Sequence, residues 1–505
     1  MMSPRLLKIF TYTFFTYICT LATSLAGFIP SALAEKINFT FLQLNDIYEI
    51  TPIAGGKQGG MARVATIRQQ LLRENPLTYT ILAGDAFSPS ALGTAKINDQ
   101  PLAGQQMVAV MNAVGFDFAT FGNHEFDLPE SLFLKRLEES EFTWFSGNVS
   151  DRLGKPFPKV PRFVILEIPG ETEGKTVKVG FIGLTIPNNL AEYVSYKEPI
   201  ATVEKQVQQL KNQVDVIVLV SHLDMDMDRA IAENIPEIDL ILGGHEHENI
   251  QQWRGFDFTP IFKADANART VYIHHLTYDT EEKKLTINSR LQPITDSIPD
   301  HPATAQVVQT WLEKGFAAFQ AKGFQPSAII GQITTTLDGL EASVRNRSTN
   351  LTELIGRALL SEVAGANLAI HNSGGIRIDD QLTPGNITQY DVLRIWPFGG
   401  NVLEVSMSGE LLREIFQKNL ANRGKGNFLQ MINVSQNTDG TNWLINGQPL
   451  SPTKIYRVAI NDYTVSGKLE GFTFLTPDHP GLKVIQEKND VRQAIIRQIQ
   501  REQKN

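Results

Sequence analysis

Ala119-Thr120-Phe121-Gly122-Asn123-His124-Glu125 is a short apolar run that breaks at a glycine into an amide, an imidazole and a carboxylate. A strand ending this way sets metal-binding side chains just beyond the carboxyl edge of a sheet, where ligand sites of α/β proteins lie. Four other stretches share the form: Phe41-Leu42-Gln43-Leu44-Asn45-Asp46, Ile81-Leu82-Ala83-Gly84-Asp85, Val218-Leu219-Val220-Ser221-His222 and Ile241-Leu242-Gly243-Gly244-His245-Glu246-His247. A lone strand-end Asp is usually a helix cap or a turn residue. Five such ends, using four of the chain's nine histidines, point instead to one shared crevice.

The rhythm around these stretches is that of a layered α/β domain. Strands are expected over Ile37–Leu44, Thr78–Ala83, Phe116–Phe121, Val214–Val220 and Ile238–Leu242. Helices alternate with them over Met61–Asn75, Leu102–Val114, Val203–Asn212 and Met225–Asn234. Phe163–Ile168, Lys178–Leu184, Val271–Tyr278 and Lys284–Leu291 read as hairpin strands, and suggest a second, partly antiparallel sheet packed on the first. Pro302 to about Lys322 reads as one helix with Val307, Val308, Trp311 and Leu312 on an apolar face, stopped by Gly323 and Pro326. Beyond this connector lies a second α/β unit, with strands near Ala328–Thr334, Asn367–Ile370, Val402–Ser406 and Tyr456–Ile460. Its helices are expected near Leu351–Val363, Gly409–Leu420 and Val491–Gln500.

Composition agrees with this two-unit plan. The chain has 505 residues, 42% hydrophobic and 20% charged, with a net charge of −8 and one cysteine. Disorder, a collagen-like repeat and a disulfide scaffold are excluded. The acidic balance argues against a nucleic-acid polymer as partner, which needs a basic stripe. At the N-terminus, Arg5 and Lys8 precede an apolar stretch from Ile9 to about Ile29, and Ala32 and Ala34 form a small-x-small cleavage site. Residues 1–34 therefore read as a signal peptide and the protein as exported, periplasmic or extracellular, with no stable membrane span after cleavage. Cys19 leaves with that segment, so thiol chemistry is excluded from the remainder.

The ligand types at the strand ends narrow the chemistry. Carboxylate, imidazole and amide together suit Zn, Mn or Fe, whereas Ca²⁺ or Mg²⁺ wants oxygen alone. Two such cations sharing a carboxylate suit in-line phosphoryl displacement, so phosphate-ester hydrolysis is the expected task.

At these residues the sequence resembles the calcineurin-like metallophosphatases and, within them, the 5′-nucleotidase family. Gly84-Asp85, Gly122-Asn123-His124-Glu125 and Gly244-His245-Glu246-His247 carry the resemblance by order and spacing. It implies a four-layer α/β/β/α metallophosphatase domain at 35–300, a connector at 301–326 and a smaller α/β substrate-binding domain at 327–505. It also implies two metal ions. Asp85 would bridge them, Asn123, His222 and His245 would hold one, and Asp46 and His247 the other. His124, paired with Asp127, would be catalytic, stabilising developing charge and assisting the leaving oxygen.

The family's first motif is Asp-x-His, but here it is Asp46-Ile47-Tyr48. Tyr48 could ligate as a phenolate, favouring Fe³⁺ in a mixed-valence pair. It could stand aside and leave water to complete the shell, or the site could be empty and the protein inactive.

The C-terminal half resembles the family's substrate-binding motifs. By match, Arg347 of Arg345-Asn346-Arg347 and Arg377 of Asn372-Ser373-Gly374-Gly375-Ile376-Arg377 would contact phosphate, and Asn372 the ligand. Phe398 of Trp396-Pro397-Phe398-Gly399-Gly400 and Tyr463 of Asn461-Asp462-Tyr463 would enclose the base. In place of the family's Gly-Gly-Asp-Gly the chain has Ser466-Gly467-Lys468-Leu469-Glu470-Gly471, which makes Glu470 the candidate for the nucleoside-holding acid. The resemblance implies an exported 5′-nucleotidase, with a nucleotide or another phosphate ester as substrate. The alternatives are a 2′,3′-cyclic-nucleotide phosphodiesterase/3′-nucleotidase, a UDP-sugar hydrolase, or a non-catalytic nucleotide-binding protein.

Overall fold

The computed structural model describes residues 35–438, 440 and 442–504. The expected leader at 1–34, with Cys19, lies outside them. Among the described residues no helix is long and apolar enough to cross a membrane.

Two six-stranded sheets lie face to face in the first domain. One runs in the order Lys284–Pro293, Thr270–Asp279, Lys36–Leu44, Thr78–Ala83, Phe118–Thr120, Thr143–Trp144. The other runs Ile250–Arg254, Thr259–Lys263, Leu240–Gly243, Val216–His222, Thr176–Thr185, Phe163–Pro169. The central strands are buried on both faces, which is why their sequences are continuous apolar runs. Alternate residues of one strand go to different cores. Phe39 and Phe41 meet Phe181, Val218 and Val220 between the sheets. Leu42 and Leu44 face outward to the helices Met61–Glu74 and Gln105–Val114. On the second sheet, Ile217 and Leu219 face the helices Pro199–Leu210 and Met225–Asn234. The result is an α/β/β/α sandwich.

The hairpins are distributed differently from the expectation. Phe163–Pro169 with Thr176–Thr185 closes one edge of the second sheet, and Thr270–Asp279 with Lys284–Pro293 one edge of the first. The second sheet takes its central strands from Val216–His222 and Leu240–Gly243, parallel neighbours in register Val218 to Leu240. Periodicity identifies a strand, but pairing assigns it to a sheet, and pairing is non-local.

The helix Pro302–Ala321 leaves the first domain with Val308 in the outer core there and Phe319 in the core of the second, while Trp311 packs against both. The second domain is a five-stranded sheet in the order Leu429–Ile432, Leu368–Asn372, Ile455–Asn461, Asn401–Ser408, Leu482–Asp490. Asn350–Glu362 and Val491–Glu502 cover one face and Gly409–Leu420 the other. The domains meet through buried charge. Arg394 lies 3.4 Å from Glu49 and 3.6 Å from Asp380, and Asp380 Oδ2 accepts the Ala54 N–H at 2.9 Å.

Between the two sheets of the first domain, Gln43 donates to the carbonyls of Gly243 and Phe262. Its Oε1 lies 2.9 Å from His274 Nε2, whose Nδ1 meets Ser289 Oγ at 2.7 Å. That pattern suits a neutral imidazole whose Nε2 donates to the amide oxygen and whose Nδ1 accepts from the hydroxyl. Burial, with His275 beside it, pushes His274 down to about 3, and burial pushes His371 down to about 4. The unfolded chain therefore binds more protons than the folded one below about pH 6.5, and stability falls there by up to about 1.4 kcal/mol per pH unit per histidine. His274→Gln should flatten the loss of stability between pH 6.5 and 4, read from urea melts at a series of pH values; an unchanged slope would show that the ring is not held neutral.

Candidate metal centre and substrate cavity

The five strand ends converge. Asp46, Asp85 and His222 are fully buried, and each offers a ligand atom within 4.8 Å of the others. Burial opposes the charged form of both carboxyls, but His222 and other imidazoles outweigh it, so Asp46 and Asp85 are held below the ordinary carboxylate range. The backbone is committed to this arrangement. Asp46 (φ 53°), Asp85 (φ 61°), His245 (φ 87°) and His247 (φ 60°) all sit in the left-handed region, which side chains other than glycine rarely adopt.

Three imidazoles are fixed by one ring nitrogen and present the other. His222 Nδ1 is 2.8 Å from the Ala83 carbonyl, which can only accept, so Nδ1 carries a proton and Nε2 is the atom turned toward Asp85 Oδ2 at 3.3 Å. His124 Nδ1 donates to Asp127 Oδ2 at 2.7 Å, and the His124 N–H holds Asp85 Oδ1 at 2.8 Å. His247 Nδ1 donates to Asp379 Oδ2 at 2.9 Å, and its Nε2 is 3.3 Å from Asp46 Oδ1. Burial lowers the His124 pKa, but Asp127 and Asp85 more than reverse this and raise it. His245 packs edge-on against His222 at 5.2 Å, with its Nε2 3.3 Å from Asp224 Oδ1 and its N–H on Asp46 Oδ2.

These residues fit metal ions. Asn123 Oδ1 and His222 Nε2 are buried with no hydrogen-bond partner, next to two buried carboxylates, an expensive arrangement unless a cation satisfies them. The mixed oxygen and nitrogen donors suit a transition metal. Tyr48 does not stand aside from this group. Its hydroxyl donates to Asp85 Oδ2 at 2.9 Å and lies 3.2 Å from Asp46 Oδ1 and 3.0 Å from His247 Nε2. Burial and the carboxylates of Asp85 and Asp46 raise the phenol pKa well above its ordinary value, so it is a donor here.

Asn372, Arg377, Phe398, Tyr463 and Glu470 line one cavity of about 730 Å³, together with Ser88 and Asp127 of the first domain. Phe398 and Tyr463 are about half exposed, and the Arg377 guanidinium lies 5.6 Å from the Phe398 ring. Arg347 is not brought there. Its guanidinium is turned outward, on Asp338 at 2.8 Å and Ser343 at 3.0 Å. Arg345, two residues earlier and therefore on another face of the chain as it turns, is the arginine that comes within electrostatic reach of Arg377, Asp379 and Tyr48.

Several residues that organise the site were not singled out from sequence. Glu125 accepts the N–H groups of Asp85, Ala86, Phe87 and Gly122, tying two ligand loops together. Asn189 bridges the Asn123 carbonyl and Asp127. Lys263, a lone cation closing the apolar strand Thr259–Lys263, donates to the Leu223 carbonyl and to Glu246 behind His222 and His245. A charge ending a buried strand is the signal that could have found it. Asp379 opens an acidic pair two residues after Arg377, and only its distance in sequence from His247 hides it.

Residues 39–249 match the family profile for the calcineurin-like phosphoesterase, and residues 329–477 that for the 5′-nucleotidase C-terminal domain. The chain is 26% identical over 419 residues to protein UshA of Yersinia enterocolitica, covering 71% of this chain and 72% of that protein. It is 26% identical over 473 residues to the 5′-nucleotidase of Bos taurus, covering 83% and 79%. Its fold matches the crystal structure of a 5′-nucleotidase precursor from Thermus thermophilus with a TM-score of 0.74 at 21% identity, over 92% of this chain and 97% of that one.

Gly122 has no room for a side chain, since a Cβ there would lie 2.0 Å from Asp85 Oδ1 and 2.6 Å from the Asp85 nitrogen. Gly122→Ala should displace Asp85, costing about 1–3 kcal/mol of stability and lowering metal uptake with it. At Gly174 a Cβ meets nothing within 4 Å, so Gly174→Ala should leave metal content at the wild-type level. Metal analysis of both variants checks the pair.

Proposed function

Because the chain is a metal-dependent phosphoester hydrolase of the 5′-nucleotidase family, we propose that its reaction is hydrolysis of a nucleoside 5′-monophosphate to nucleoside and phosphate. The observation that carries this reading is the shared cavity: Phe398, Tyr463 and Arg377 of the second domain face Ser88 and Asp127 of the first, beside His124.

In this reading Asp85, Asn123, His222 and His245 hold one cation, and Asp46, Asp85 and His247, with the Tyr48 hydroxyl facing them, hold a second. Bound there, the two would supply a nucleophilic water at neutral pH and draw charge from the phosphoryl oxygens. The chain's own groups do the rest. His124, kept protonated by Asp127, donates from Nε2 toward the phosphoryl or leaving oxygen. Arg377, which lines the cavity, pairs with phosphate oxygens. Phe398 and Tyr463 stack on the base, an interaction that tolerates different bases. Asn372 and Glu470 contact the nucleoside. Residues 1–34 are an export leader, so the reaction takes place in the periplasm or outside the cell. The metal domain then occupies 35–300, the connector 301–326 and the substrate domain 327–505.

One feature favours a second reading. Lys425 and Lys468 also line the cavity and, although Asp127, Asp462 and Glu470 balance the charge of its lining, they offer cationic donors for a second phosphate, which suits a nucleotide sugar such as a UDP-sugar.

A panel of 5′-, 3′- and 2′,3′-cyclic nucleotides and UDP-glucose, assayed for phosphate or product release, separates these. The 5′-monophosphates should be hydrolysed fastest, and no hydrolysis of any of them would sink the proposal. Asp85→Ala should reduce turnover to background. Phe398→Ala should raise KM about 5- to 150-fold with little change in kcat, as expected for loss of about 1–3 kcal/mol of stacking made equally in ground and transition states.

A further inference from the structure

The partners that orient the site histidines differ in origin. His222 is held by Ala83 and His124 by Asp127, all within the first domain. His247 also belongs to the first domain, but its Nδ1 is held by Asp379, 132 residues away in the second. Resting on the reading of His247 as a metal ligand, we propose that Asp379 is a positioning residue that orients the His247 imidazole across the domain boundary. The cation site of Asp46 and His247 is then complete only when the two domains are apposed.

The geometry is specific to this role. A carboxylate can only accept, so the 2.9 Å contact puts a proton on Nδ1 and makes Nε2, which faces Asp46 and the Tyr48 hydroxyl, the nitrogen open to a cation. Such a carboxylate behind a metal-ligating histidine fixes the ring and strengthens it as a ligand, and its loss typically costs about 10–100-fold in metal affinity. Asp379 is itself held for the task. Its other oxygen accepts the Glu341 N–H at 2.8 Å, its carbonyl accepts from Arg269 of the first domain, and its backbone is in the left-handed region with φ 37°. The residue is 8% exposed and does not line the substrate cavity, so contact with substrate does not account for it. A simple inter-domain latch would not need the His247 contact, because Asp380 and Arg394 already bridge the domains a few residues away.

The test is a Mn²⁺ titration of the metal-stripped full-length protein, with free Mn²⁺ counted by electron paramagnetic resonance. Wild type should show two sites. Asp379→Ala should weaken one of them about 10–100-fold and leave the other unchanged, and Asp379→Asn, whose amide oxygen still accepts, should weaken the same site less. Asp380→Asn should match wild type, because its amide oxygen still accepts the Ala54 N–H across the domain contact and the His247 contact is untouched. Both sites at wild-type affinity in Asp379→Ala, or equal weakening by Asp380→Asn, overturns the inference. His247→Ala serves as the reference for the underlying reading. If it binds Mn²⁺ like wild type, or if wild type has no saturable site, the ligand reading fails and the inference with it. If His247→Ala loses one site while Asp379→Ala keeps both, the inference alone fails. Circular-dichroism melts of the metal-free proteins identify a variant that does not fold. Should Asp379→Ala be one, the Asn variant decides, and wild-type affinity in it overturns the inference.

Discussion

Two carboxylates, Asp46 and Asp85, are buried side by side at the ends of adjacent parallel strands, and a pair of like charges out of water must be met by positive charge or by protons. The rest of the site answers that demand. His222 and His247 turn their Nε2 atoms toward the pair, while the N–H groups of His124 and His245 bond Asp85 and Asp46. Asn123 Oδ1 is left with no protein partner beside them. A centre that concentrates this much anionic and neutral donor capacity, with orphaned atoms aimed inward, is stable when cations occupy it. The left-handed backbone at four of these residues is the strain accepted for bringing the donors together.

The same demand explains why the protein has two domains meeting where they do. A phosphate ester brings further negative charge, which Arg377 and the His124–Asp127 pair can face from opposite sides of one cavity. On the proposed reading the first domain supplies the chemistry and the second supplies base stacking and a guanidinium group. Buried pairs such as Glu49–Arg394 lie across the contact between the two. A net charge of −8 is therefore no obstacle to an anionic substrate, since local fields near bound cations and arginines outweigh the overall balance.

Much of this was legible in the sequence, and the exceptions share a cause. Thr78–Ala83, Met225–Asn234 and Gly409–Leu420 lie where periodicity and end signals put them. The strand-end ligands converge because the topology of parallel strands leaves little alternative. The strand Leu482–Asp490 was not anticipated, because two-thirds of its residues are charged or amide and it pairs at the sheet edge beside Asn401–Ser408. The hairpin strands near Val271–Tyr278 and Lys284–Leu291 were recognised as strands yet placed in the wrong sheet, a matter of long-range pairing. Arg347 is turned outward onto Asp338 while Arg345 lies nearer Asp379 and Tyr48, a difference of side-chain direction within one tight turn that a motif match does not carry. Asp379 was invisible because its meaning depends on a histidine in the other domain.

The account turns on two adjacent cation positions built on Asp85. Anomalous diffraction from crystals soaked in Mn²⁺, collected at the manganese edge, measures this directly. Two anomalous peaks are expected, one among Asp85, Asn123, His222 and His245, the other among Asp46, Asp85 and His247 beside Tyr48. A single peak, or peaks away from Asp85, would contradict the shared-carboxylate centre from which the mechanism is derived.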